Sequence, residues 1–198
     1  AQPAQSPRLL LVDASSFVYR AFHALPDLRS RSGHPTGAIT GMINMLRRLR
    51  QEWPADYAAC VFDPKGGTFR DEIYPEYKAH RKKVRKPAGF RTLKEMLEQK
   101  YHCMTENGIE ADDLIGLCHT RDSHRGLTSL IISTEKDFKT IPGWIYNPDH
   151  DAFTFVKPEE ADRNWLLQTL TGDKADGYPG LEGVGPVTAA KILKQGTW

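Results

Sequence analysis

Three apolar runs in this chain each stop at a carboxylate. They are Leu9-Leu10-Leu11-Val12-Asp13, then Tyr57 through Val61 and Phe62 to Asp63, and Leu127 through Ser133 with Glu135, Lys136 and Asp137 directly behind. Continuous runs of this length, without polar alternation, suit central strands of a parallel sheet covered on both faces. The intervening segments carry helical spacing. Ser15 and Ser16 can cap a helix packed by Phe17, Val18, Tyr19 and Phe22. Ile39, Met42, Ile43, Leu46, Leu49 and Trp53 form the clearest amphipathic helix, which stops before Pro54, and its Arg47, Arg48 and Arg50 read as a solvated face. Leu93, Met96 and Leu97 resume a helix, Tyr101 to Thr105 is a weak strand, and Trp144–Tyr146 and Phe153–Val156 are short strands. Pro158 opens a helix that runs through Leu170, and a last short helix spans Pro186 to Leu193. Strands separated by helices predict an α/β fold, a central mostly parallel sheet flanked by helices.

With 198 residues and 39% hydrophobic content the chain can fill one core, with at most a small appendage. No run of about 18 apolar residues is present, so no membrane span is expected. The net charge of +2 does not by itself indicate nucleic acid, and the distribution of charge says more. Cys60, Cys103 and Cys118 lack metal-ligand spacing and read as reduced thiols. Residues 1–7 are polar, contain prolines and lack an apolar signal core, and are expected to be a disordered lead-in. Between Lys78 and Lys94 the chain is strongly basic, with only Val84 and Phe90 large and apolar before Leu93, which predicts an exposed, mobile segment.

The densest acidic stretch is Glu110-Ala111-Asp112-Asp113, followed by Leu114, Ile115, Leu117 and Cys118. It predicts a helix with acids in its first turn, where the positive helix end favours them, and those four apolar residues on its buried side. Taken alone, it reads better as the acidic start of an ordinary helix. The balance shifts because Asp13, Asp63, Glu135 and Asp137 fall just after predicted strands, where open parallel sheets place their ligand sites. Asp173 and Asp176 follow a predicted helix C-terminus, an unfavourable place for acids unless a cation compensates. Nine converging carboxylates call for divalent cations. Oxygen-only donors select magnesium or manganese over zinc. Two such ions about 4 Å apart suit phosphodiester hydrolysis. Asp71, Glu72, Glu76, Glu95 and Glu98 read as surface acids.

From here the chain resembles the 5′-nuclease family, which includes the N-terminal domain of bacterial DNA polymerase I, phage 5′-3′ exonucleases and flap endonucleases. The resemblance spans Arg8 to Leu193 and is carried by LLLVDASSFVYRAFHALPDL at 9–28, PTGAITGMINMLRRL at 35–49 and VFDPKGGTFRDEIYPEYKAHR at 61–81, with GIEADDLIG at 108–116, ISTEKDF at 132–138 and TGDKADGYPGLEGVGPVTAAKIL at 171–193. It implies a PIN-like fold with a helical arch, and a metal-dependent 5′-3′ exonuclease and flap endonuclease acting on DNA 5′ ends and flaps, with RNA primers in RNA–DNA hybrids as further substrates. Asp13, Asp63, Glu110 and Asp112 match ligands of a first ion, and Asp113, Asp137, Asp173 and Asp176 match acids of a second ion or bridging acids. Glu135 stands where the family pattern has aspartate, a departure whose longer side chain would shift the second ion or its waters.

Tyr77, Lys78 and Arg81 match the base of the arch, where a cation can stabilise charge on the scissile phosphate, and Lys82 and Lys83 follow as DNA-binding candidates. Gly183, Gly185 and Lys191 match a helix–hairpin-type element that meets duplex phosphates through peptide N–H groups, with a potassium ion as a further cofactor. The organisation so implied is a catalytic core at 8–157, including a basic arch at 78–100, and a C-terminal DNA-binding element at 158–198. Family members continue past that element, so a fragment or an unusually short chain is expected. The resemblance also implies a monomer in the cytoplasm of a bacterial or phage-infected cell, with a DNA polymerase attached or separate. A non-cleaving DNA-binding homologue is the alternative.

Overall fold

In the computed structural model, residue 3 and residues 6–81 and 89–196 are described. Strand β1 (Leu9–Asp13) lies at the centre of a six-stranded sheet. It pairs in parallel with β2 (Tyr57–Val61) on one side and β4 (Ser129–Ile132) on the other. Outside β2 runs β3 (His102–Met104), and outside β4 come β5 (Gly143–Asn147) and β6 (Ala152–Val156), giving the order β3-β2-β1-β4-β5-β6. Only the β5–β6 pairing is antiparallel. The weak strand expected at Tyr101–Thr105 forms, as the sheet edge.

Side chains alternate across a strand, so the apolar runs feed two cores. Leu10, Val12, Cys60, Phe62, Leu130 and Ile132 face one side, packed by α1 (Ala14–Ala24), α2 (Gly37–Glu52) and α4 (Phe90–Glu98) through Phe17, Met42, Leu46, Leu93 and Leu97. Leu11, Ala59, Val61, Ile131 and Ile145 face the other, covered by α5 (Ala111–His124) and α6 (Pro158–Thr171). Leu10, Leu11 and Val12 are fully buried, a contribution of about 1.5–3 kcal/mol each as an upper bound. A short helix α3 (Phe69–Ile73), a two-stranded β7–β8 pair (Gly172–Asp173 with Tyr178–Pro179) and α7 (Pro186–Gln195) complete the described chain. Among the described residues no helix is long and apolar enough to cross a membrane.

Several expectations are corrected. Pro7 is already buried, so packing begins within the supposed lead-in. The buried stripe of α5 is Ala111, Ile115, Cys118, His119 and Asp122, while Leu117 is 62% exposed. Helical spacing alone did not fix which way that stripe faces, because two polar residues stand inside it. His119 is satisfied by Ser129 Oγ at 2.7 Å and the Pro142 carbonyl at 3.1 Å. Asp71, expected at the surface, is half-buried, and its carboxylate accepts the Thr68 backbone N–H at 2.8 Å to start α3.

A tight packing point follows from His119. Gly143 opens β5 with φ +140°, and a Cβ there would lie 1.9 Å from His119 Nε2. Gly143→Ala therefore combines backbone strain with overpacking. We expect a loss of about 2–4 kcal/mol in urea unfolding, and an unchanged midpoint would refute the clamp.

Candidate metal-binding and nucleic-acid-cleavage site

Parallel register decides where the acids go. Asp13 is paired with Val61, and Val12 with Ile132, so Asp63, Ser133 and Glu135 leave their strands at the same end as Asp13. Asp13 caps α1 by accepting the Ser16 N–H at 3.2 Å, and it accepts the Ser133 hydroxyl at 2.9 Å. Asp63 is held by its own N–H donating to Ser15 Oγ at 2.9 Å, while its carboxylate accepts the Ala111 N–H at 3.0 Å. That last bond ties the end of β2 to the start of α5.

Glu110 is the N-cap of α5 rather than a residue of its first turn, a correction to the sequence expectation. Its N–H donates to Asp113 at 3.1 Å in a reciprocal capping box. The helix end thus aims Glu110 and Asp112 toward the strand ends. Asp137 follows β4 in a 3-10 turn and accepts Gln168 Nε2 at 2.7 Å.

Asp173 and Asp176 arrive on the loop between β7 and β8. The neck of that loop is closed by glycines in contact: Gly172 has φ +69°, and a Cβ on it would meet Gly180 N at 2.1 Å. The Lys78 N–H donates to the Asp176 carbonyl at 2.8 Å, and Arg81 Nη2 donates to the Ala175 carbonyl at 2.9 Å, so the loop is bound to the end of the 77–81 segment.

Eight of the nine acids fall into two electrostatic groups. Four are met by cations of the chain. Arg70 forks onto Asp113 at 2.5 and 2.7 Å, and Lys78 Nζ lies 2.9 Å from Glu110. Lys136 lies 2.6 Å from the buried Asp173, and Arg81 lies 3.1 Å from Asp176. Lys136 and Arg81 thus offset part of the charge of the two acids after α6. Burial works against ionising Asp113 and Asp173, yet Arg70 and Lys136 outweigh it and hold both below the ordinary carboxylate value.

The second group is Asp13, Asp63, Asp112 and Glu135, which form no ion pair with a described Lys or Arg. Burial first, then the charges of Glu135 and Asp63, push Asp13 up to about 7. Burial first, then Glu110 and Asp113, push Asp112 to about 7 despite Lys78 and Arg70. Burial also raises Glu135, with Asp137 and Asp63 adding to it and a hydrogen bond from Ser16 opposing. Such a set is held together against its own repulsion, and a divalent cation is what relieves it. The donors are all oxygen, with no His or Cys among them, which fits magnesium or manganese. Among the described residues no three His, Cys, Asp or Glu already form a cage for an ion. The acids line a shared rim rather than a finished coordination shell.

Of the other expected residues, Tyr77 is buried with its hydroxyl donating to Glu110 Oε2 at 2.8 Å, and burial and the Glu110 charge keep it protonated. Lys78 is half-buried at the acids, not part of an exposed basic segment. Lys82 and Lys83 lie outside the described residues. Gly183 (φ +73°), Gly185 (the N-cap of α7) and exposed Lys191 belong to the C-terminal segment that packs on α6 through α7. Sequence reasoning missed Arg70, Lys136, Ser15, Ser133 and Gln168. Arg70 and Lys136 had a signal in hindsight: each lies in a motif that also carries acids. The serines and the glutamine had none beyond nearness to an acid in sequence.

A groove of about 840 Å³ leads away from Asp112, Asp137 and Asp176 past Phe69, Leu117 and Trp165. A second cleft, of about 560 Å³, joins Asp63 and Glu110 to Lys78 and Arg81.

The profile of the 5′-3′ exonuclease, N-terminal resolvase-like domain, matches residues 8–163. The chain is 40% identical to DNA polymerase I of Pseudomonas aeruginosa over 96% of its own length, and spans 22% of that protein. It is 38% identical to a 5′-3′ exonuclease of Aquifex aeolicus, covering 94% of this chain and 69% of the relative. Its fold superimposes on the bacteriophage T5 flap endonuclease in a complex with DNA and metal ions, with a TM-score of 0.76 at 20% identity, over 94% of this chain and 74% of the other.

The raised carboxyls make a stability prediction. A folded value near 7 for Asp112, above the unfolded value near 4, means that without divalent ions stability falls as pH rises through that window. Asp112→Asn should gain about 1–3 kcal/mol over the parent at pH 8 in chelator. The gain should shrink as pH falls through that window and vanish below about pH 3, where the Asp112 carboxyl is protonated in the folded and the unfolded chain alike. A variant no more stable at pH 8 would show that Asp112 is not under charge strain.

Proposed function

Because this chain belongs to the 5′-3′ exonuclease family through its N-terminal resolvase-like domain, we propose that it hydrolyses phosphodiester bonds near the 5′ ends and flaps of DNA, using divalent cations held by its acidic rim. The observation that carries this is the gathering of Asp13, Asp63, Asp112 and Glu135 at one end of a parallel sheet with no described cation to neutralise them. Two ions bound there would lower the pKa of a water and offset charge on the leaving oxygen. We assign Asp13, Asp63, Glu110 and Asp112 to the first ion, and Asp113, Glu135, Asp137, Asp173 and Asp176 to the second or to bridging positions. Magnesium is the preferred ion and manganese a substitute.

The chain's own groups do the rest. Lys78 and Arg81 stand between the acids and a cleft open to solvent, so each can turn from a carboxylate onto an incoming phosphate. There they would stabilise charge as it develops. Tyr77, protonated and bonded to Glu110, keeps that carboxylate aimed. Arg70 fixes Asp113, and through the capping box fixes the start of α5. The division of labour is a cutting core at 8–157 and a duplex-gripping element at 158–198, where Gly183, Gly185 and Lys191 would meet backbone phosphates with a potassium ion as helper. RNA primers in hybrids are further substrates, and a polymerase supplied on the same or another chain is the natural partner. The setting is the cytoplasm. The chain spans about a fifth of the polymerase relatives, so their other activities are not part of this reading.

A second reading, a homologue that binds forked DNA without cutting, draws on Glu135 and on the four acids already engaged by cations. A labelled 5′-flap duplex with magnesium separates the two. We expect cleavage, with Asp112→Asn and Lys78→Ala each slower by about 10²–10³-fold. Undiminished cutting by Asp112→Asn would refute the site, and tight binding without turnover in magnesium and manganese would favour the second reading. Titrating magnesium with Glu135→Asp in parallel should lower the half-saturating concentration. No change would acquit Glu135 of weakening the second ion.

A further inference from the structure

At the end of the sheet away from the acids, α2 and α4 finish beside the first residues of β2 and β3. Two clefts open there, of about 460 and about 210 Å³, and both are lined by Arg50, Lys100 and Tyr101. Arg47 lines the first, and His102 and Trp53 line the second. Neighbouring cations have partners: Arg48 pairs with Glu52, and Arg8 with Asp56. Arg47, Arg50 and Lys100 pair with no acid among the described residues. Asp56 is the one acid in the described lining, and Arg8 already holds it. The indole Nε1 of Trp53 is buried without a hydrogen-bond partner. A solvated face would show cations spread among acids. Here three line adjoining clefts whose apolar floor includes Ile43, Met96 and Tyr101.

We propose that this rim binds the phosphate backbone of a second arm of branched DNA, the arm that does not enter the acidic end. The inference rests on reading that end as a DNA-cutting site. Guanidinium groups suit phosphate through their forked donors. The five residues of β1 separate the two ends by about 16 Å at 3.3 Å per residue. At 3.4 Å per base pair, an arm of about five base pairs bridges that span. Shorter arms cannot touch both ends. Arg50 also lies in the last turn of α2, where a cation stabilises the helix end. That structural role predicts a change in melting temperature with no dependence on arm length.

The test is anisotropy binding of the full chain, in chelator, to labelled forks whose second arm is 4 or 15 base pairs. Wild type is compared with the triple variant Arg47→Ala, Arg50→Ala, Lys100→Ala. We expect about tenfold weaker binding of the long-arm fork, a salt slope smaller by about 2.7, and unaltered binding of the short-arm fork. Magnesium-dependent cutting of the short-arm fork at saturation should match wild type. Arg47→Ala alone, outside the last helical turn, should lower the slope by about 0.9 and covers the case of a triple variant that does not fold. Equal affinity for the long arm, or the same loss on both arms, overturns the proposal. So does polyglutamate binding that the triple variant abolishes while DNA binding stays intact, since the surface would then be a protein's. A wild type that neither binds nor cuts either fork marks the failure of the acid-end reading, and this inference falls with it.

Discussion

β1 is paired in parallel on both edges, and that double register sets the position of every acid at the rim. Asp13 leaves the sheet level with the turn after β2 and the turn after β4, so three strands of different sequence address deliver carboxylates to one place. The apolar residues behind them, Leu10 to Val12, Ala59 to Val61 and Leu130 to Ile132, are buried on both faces. Core burial thus works against charge repulsion. The sheet cannot let the acids part without sliding a strand, and a slip by one residue would turn each strand's side chains onto the wrong core.

The protein manages the remaining charge unevenly. Arg70, Lys78, Arg81 and Lys136 neutralise Asp113, Glu110 and the acids of the β7–β8 pair, while Asp112 and the acids at the strand ends are left to each other. Lys78 and Arg81 border the cleft they share with Asp63 and Glu110, and have a second use available to them. Arg70 and Lys136 are spent on position: one fork and one ammonium hold Asp113 and Asp173 in place.

Much of this was legible beforehand. Long apolar runs ending in acids identify the central strands, because burial on both faces leaves no polar alternation and a ligand site lies past the carboxyl ends. Pro158 and Pro54 marked helix limits because proline cannot continue or donate within a helix. What failed were questions of facing and pairing. Leu117 reads as core by spacing, but Ile115, Cys118 and His119 take the inner side once Ser129 and the Pro142 carbonyl satisfy the imidazole. Glu110 reads as a first-turn acid because a capping box and a helical turn have the same three-residue spacing. Lys78 reads as part of a solvated run, since composition cannot show that Tyr77 is buried and draws its neighbour in against Glu110.

The loop that carries Asp173 and Asp176 has a neck made of Gly172 and Gly180 at a separation no side chain would allow, and it is laced to Lys78 and Arg81 through main-chain oxygens. Such a loop has little freedom to bend internally. It is joined to the 77–81 segment as one unit through the Asp176 and Ala175 carbonyls. The 77–81 segment and the acids of the loop therefore keep one fixed relation to each other, set by backbone geometry rather than by side-chain charge.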